Sequence, residues 1–175
     1  MHNVNTGIRI HTKSIKRLND LINPDGLSRS LVISPFIEIL RNGQSENNNL
    51  IAGMNLEWII SNFITMNIEY TLNRNDNLNQ STILFGPNIH IQKPVTNRKL
   101  ELNNPDGRPG LFTFSPHIGT IIYEKKDSIL ILGLLLKTPI SQFFTFQLII
   151  NNLTEMGDRN NENFNQYSFG AIFYF

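Results

Sequence analysis

The chain has 175 residues, a mass of 20.1 kDa and a formal net charge of +1, with 17% charged and 40% hydrophobic residues and no cysteine. That is enough chain for one domain, and it offers no basic stripe to neutralise phosphates, so nucleic acid is excluded as a general partner. The absence of cysteine removes disulfides, thiolate metal sites and cysteine nucleophiles together.

Charge falls below the roughly 25% usual in soluble domains. Asparagine fills the gaps between apolar segments instead, as in Asn47-Asn48-Asn49 and from Asn73 to Asn79. The longest apolar run, Ile129 to Leu136, is far short of the roughly 20 residues that a helix needs to cross a bilayer.

Residues 1–30 form an N-terminal segment of mixed character. Gly7 to Lys13 predicts an extra strand with Ile8 and Ile10 on one face, and Ser14 to Ile22 predicts a short helix with Ile15, Leu18 and Ile22 on one side. From residue 31 to 175 the pattern changes to period 2, the mark of strands with one apolar and one polar face.

Residues 31–40 set Leu31, Ile33, Ile37 and Ile39 against Ser34 and Glu38. Residues 50–60 set Leu50, Met54, Leu56 and Trp58 against Asn55 and Glu57, and the next segment sets Ile64, Met66, Ile68, Tyr70 and Leu72 against Asn67, Glu69 and Thr71. Residues 81–92 oppose Ile83, Phe85, Ile89 and Ile91 to Asn88 and His90; residues 111–123 oppose Phe112, Phe114, Ile118 and Ile122 to Ser115 and His117. Residues 129–138 are apolar on both faces, residues 143–152 alternate Phe144, Phe146, Leu148 and Ile150 with polar neighbours, and the last strand alternates Tyr167, Phe169, Ala171, Phe173 and Phe175 with Gln166, Ser168 and Gly170. The expected fold is therefore all-β: an antiparallel up-and-down barrel of eight strands, or of ten if the N-terminal segment contributes. Segments of about ten residues suit a transmembrane barrel, and a soluble barrel shows the same alternation.

The final eight residues, Ser168-Phe169-Gly170-Ala171-Ile172-Phe173-Tyr174-Phe175, carry the most specific signal. They resemble the C-terminal assembly signal of bacterial outer-membrane β-barrel proteins, with Ser168, Gly170, Phe173 and Phe175 at the motif positions. More loosely, Phe114-Ser115-Pro116-His117-Ile118-Gly119 and Leu130 to Pro139 are similar to porin-like, transport-associated outer-membrane families. The resemblance implies a transmembrane barrel in the bacterial outer membrane, with outer-membrane lipids, the barrel-assembly machinery and other envelope proteins as partners. It implies an exported chain. Met1-His2-Asn3-Val4-Asn5 is not a secretory signal, so the numbering is expected to start at a mature terminus or within a longer chain.

In such a barrel short periplasmic turns alternate with longer outer loops. Breaks at 41–49, 73–80 and 153–162 read as long and those near 61, at 124–128 and at 139–142 as short, while the very long 93–110 does not fit. Trp58, Tyr70, Tyr123, Phe143 and Phe144 are expected near strand ends, as an interfacial aromatic girdle. Pro24-Asp25-Gly26 and Asp106-Gly107 read as turn chemistry.

Glu38, Glu57, Glu69, His90 and His117 are the polar candidates expected to face the lumen. The strand directions put Glu38 and Glu69 toward the outer end and Glu57 toward the periplasmic end, so they form no triad. Buried carboxylates need partners, and Arg9, Lys137 and the histidines are the candidates. Ser115 beside His117 suggests a lipid-modifying hydrolase, with His11 and Ser14 a similar pair. No metal site or cofactor is predicted. The leading expectation is a non-enzymatic envelope protein, structural, adhesive or an assembly partner, with a lumen filled by side chains. Porin-like transport in a wider barrel, a soluble lipocalin-like binder of apolar ligands and an outer-membrane lipid-modifying enzyme are the alternatives.

Overall fold

The structure, a computed structural model, describes residues 2–13, 25, 29–41, 48–75, 78–92, 111–124, 128–141, 143–157 and 162–173. Ten strands make one antiparallel sheet: β1 (His2–Gly7), β2 (Ile10–His11), β3 (Ser30–Arg41), β4 (Asn48–Ile59), β5 (Ile64–Asn75), β6 (Leu78–Gln92), β7 (Leu111–Tyr123), β8 (Ser128–Ser141), β9 (Phe144–Met156) and β10 (Asn163–Phe173). Each strand from β3 to β10 pairs with its neighbours in sequence, the up-and-down order expected. The strand number is ten rather than eight. The ladder ends at β1 and at β10, which do not pair with each other among the described residues, so the sheet is open.

β1 and β2 are one interrupted strand. Both lie on the same edge of β3 in one register, with Gly7 opposite Phe36 and Ile10 opposite Ile33. The interruption at Ile8 and Arg9 faces Pro35, whose carbonyl accepts from the Ile8 N–H at 3.1 Å but which has no N–H to return. The sheet thus has nine strand positions, and β1 and β10 run in the same direction. Ser14 and the helix expected over Ser14 to Ile22, the break at 93–110 with Asp106-Gly107, and the terminal Phe175 lie outside the described residues.

The pleat sorts the side chains as the alternation requires. Leu31, Met54, Trp58, Ile68, Phe85, Ile118, Leu132 and Phe169 all point to one face and are exposed, Trp58 by 58% and Phe169 by 75%. The other face carries every buried strand residue, among them Val32, Glu57, Ile59, Thr65, His90, Thr113, Ser115 and Thr145. Most of these gather at one end, where β3, β5, β7 and β9 begin and β4, β6 and β8 finish. On the exposed face, β10 is tied to β9 by ring contacts. Phe169 meets Phe146 edge-on at 4.5 Å and Phe173 meets Phe144 at 5.1 Å.

The connections depart from expectation because the strands run past the apolar segments into their polar flanks. β5 and β6 extend to Asn75 and back to Leu78, so the expected long loop at 73–80 shrinks to two residues. Long and short connections do not sort to opposite ends. Neither does the girdle hold together: Tyr70 sits mid-strand on the exposed face, and Tyr123 shares the inward parity of β7.

Removing the edge-to-face contact in Phe169→Ala is expected to speed amide exchange in β10 by about twofold to tenfold, the equivalent of roughly 0.5–1.5 kcal/mol. Exchange in β5 should not change. Hydrogen exchange read strand by strand checks this.

Candidate ligand pocket and polar face

Two polar groupings occupy the inward face, and each starts from a local feature of the sequence. The first is at the crowded end. Arg9 lies in the gap between β1 and β2 on the inward side, where its guanidinium donates to Glu57 Oε2 at 2.5 Å and to the Asp25 carbonyl at 2.6 Å. Asp25, at a turn, directs its carboxylate onto His90 of β6, with Oδ2 at 3.0 Å from Nε2, while Asn88 donates to the same oxygen at 3.4 Å.

His90 is 2% exposed, and its Nδ1 lies 3.0 Å from the Thr113 hydroxyl on β7. Because a carboxylate can only accept, Nε2 carries the proton toward Asp25. Burial opposes the ionised form of Asp25, but the hydrogen bond and charge of His90, the Thr65 hydroxyl and the Arg9 charge outweigh it and hold the carboxyl below its ordinary range. Asp25, read from sequence as turn chemistry alone, is therefore also the partner of His90.

The second grouping lies mid-sheet. Pro87 of β6 and Pro116 of β7 occupy facing positions, and no residues pair between Phe85↔Ile118 and Ile89↔Phe114. Two residues without an N–H cannot complete the ladder there. Around this break lies a pocket of about 260 Å³, lined by residues of β5 to β9, whose polar members are Asn67, Glu69, Asn88, Ser115, His117 and Asn151.

A glycine clears the space between two of its lining residues. Gly133 of β8 stands between His117 and Asn151 in register, and a Cβ there would come within 2.2 Å of both His117 Nε2 and Asn151 Oδ1. With no side chain in the way, the two residues join across it at 3.0 Å. His117 Nδ1 bonds to the Ser115 backbone carbonyl at 3.2 Å, so both ring nitrogens are engaged.

The expected residues are therefore divided. Glu57 and His90 share the crowded end and His117 and Glu69 share the pocket, while Glu38, toward the other end of β3, joins neither. Glu69 sits mid-strand rather than late, because β5 extends to Asn75; its carboxylate accepts from Thr71 at 3.3 Å. Arg9 is the partner of Glu57, as anticipated. The Ser115–His117 pair does not form a nucleophile and base, since His117 meets the carbonyl and not the hydroxyl. Among the described residues no three acidic, histidine or cysteine side chains are grouped to hold a metal ion.

Ser168 and Gly170 share the inward parity of β10, and Phe173 points outward onto Phe144. Asp25, Asn151 and Gly133 were not anticipated as site residues. The Pro87 and Pro116 positions were a readable signal for the pocket, since proline is foreign to an interior strand.

Against models of protein families, curated proteins and solved structures, the chain shows no match.

Two outcomes test this description. Asp25, with its folded value lowered, adds stability that is complete above its unfolded value and disappears as pH falls through the folded one. Denaturant unfolding of the native chain should weaken on acidification from neutral pH toward pH 3 and below, and Asp25→Asn should flatten part of that slope. Gly133→Val should destabilise the fold by about 1–3 kcal/mol through overpacking, with the His117 ring resonances shifted in NMR spectra.

Proposed function

We propose that the chain forms part of the wall of a bacterial outer-membrane β-barrel, with a porin-like role in passing small polar solutes along its inner face. One observation carries this reading: every strand from β3 to β10 exposes at least one large apolar side chain on the outward face, while every carboxylate and histidine of those strands turns inward. Water rarely tolerates so continuous an apolar surface on a monomer. Lipid favours it, and in such a barrel the polar face is the lumen. Strands of 11 to 15 residues from β3 to β10 are long enough to cross tilted.

The nine strand positions bear on barrel size. Closure by antiparallel pairs alone takes an even number, so one further strand, or a larger odd number, completes the wall between β10 and β1. That favours a lumen wider than the filled interior of an eight-stranded barrel. The crowded end, closed over by Arg9 and Asp25, supports a second reading: a structural, adhesive or assembly-partner role, with one end of the lumen plugged.

The chain should require detergent for extraction, migrate faster on gels before heating than after, and give ion conductance in planar bilayers. A monodisperse monomer in plain buffer overturns the membrane reading; detergent dependence without conductance favours the plugged alternative. Ile68→Arg, on the outward face at mid-strand, should cost about 2–4 kcal/mol in lipid, whereas Gln166→Lys on the inner face, opposite Asn151, should cost less than about 1 kcal/mol.

A further inference from the structure

The mid-sheet pocket has an imbalance that points to a ligand. Ser115 is 6% exposed and lines the pocket, yet its hydroxyl has no hydrogen-bond partner among the described residues. Asn67 Oδ1, also in the lining, is buried and unpartnered. Buried polar atoms are nearly always paired, so these two leave unfilled places for a polar molecule.

The chemistry of the lining selects its kind. Glu69 is the only carboxylate there, and no lysine or arginine joins it among the described lining residues. Neither ring nitrogen of His117 opens onto the pocket, since Nδ1 lies 3.2 Å from the Ser115 backbone carbonyl and Nε2 3.0 Å from the Asn151 amide. The oxygens of Glu69 and Asn67 can accept but not donate, and a carboxylate beside an amide carbonyl suits a cationic donor. Leu84, Leu135 and Ile149 supply an apolar wall along the same pocket.

We propose that this pocket binds a small primary ammonium compound with a short hydrocarbon body and a polar far end. The ammonium group donates to Glu69 and Asn67, the chain lies against Leu84, Leu135 and Ile149, and the far polar group pairs with the Ser115 hydroxyl. The volume of about 260 Å³ admits a molecule of that size and not a large one. This deepens the reading of the inner face as a solute-lining wall and rests on it.

The test is calorimetric titration of the purified full chain in detergent micelles with three probes of one length: 5-aminopentan-1-ol, 1,5-pentanediol and 5-hydroxypentanoate. The amino alcohol should bind about tenfold or more tightly than the diol, with the anion weakest. Glu69→Gln, nearly isosteric, should remove that preference. Ser115→Ala should weaken the amino alcohol and leave n-pentylammonium unaffected, and Leu135→Phe should fill the pocket and block all the probes. Circular dichroism of each variant verifies the fold. Equal affinity for the three probes, or an amino-alcohol affinity unmoved in Glu69→Gln, overturns the proposal. If the chain needs no detergent, the membrane reading fails by itself, and the same titrations in buffer decide the pocket independently.

Discussion

Everything in this sheet depends on the backbone ladder keeping one register from β3 to β10. Successive side chains point to opposite faces, so a slip of a single residue would carry a strand's apolar set to the polar side. The pairing avoids this across the whole width. Leu31 meets Trp58, Trp58 meets Met66, Ile64 meets Ile89, and Ile89 meets Phe114, each pair on the outward face. The irregularity between β8 and β9 falls at Pro139 and Ser141, near the strand ends, where a shift disturbs little.

Against so regular a ladder, the prolines act as punctuation. Pro35 withholds one N–H from the first strand and parts it at Ile8 and Arg9, beside the crowded end where Arg9 meets Glu57. Pro87 and Pro116 withhold theirs at the same level of adjacent strands and open the seam about which the pocket forms. In both places a missing hydrogen bond coincides with polar side-chain chemistry. An unpaired backbone group is costly in an apolar setting, and it is tolerable where polar neighbours or solvent can answer it.

Strand existence, facing and neighbour order were legible because period-2 alternation is a local property that the sheet enforces residue by residue. Glu57, Glu69, His90 and His117 all turn inward as their parity requires. Strand ends were less legible, since Asn73, Arg74 and Asn75 are poor strand formers that the ladder nevertheless recruits. Long-range pairings were not legible at all. Asp25 and His90 are 65 residues apart, and nothing in either neighbourhood foretells their contact. Asn151 bonds His117 only because Gly133 of the intervening strand leaves the path clear, a relation among three strands that no single segment encodes.

The two polar groupings answer opposite demands of burial. At the crowded end each carboxylate has a basic partner: Glu57 has Arg9, and Asp25 has His90. A charge stripped of its partner there would cost several kcal/mol, so the end is built to be closed. The middle of the sheet is built otherwise. Gly86 and Gly133 deny it side chains, Pro87 and Pro116 deny it ladder bonds, and Ser115 and Asn67 keep polar atoms unspent at a cost of about 1–3 kcal/mol each. A sheet that partners its carboxylates at one end and leaves these atoms open at its centre has a polar seat there, and the proposed ligand would recover that energy.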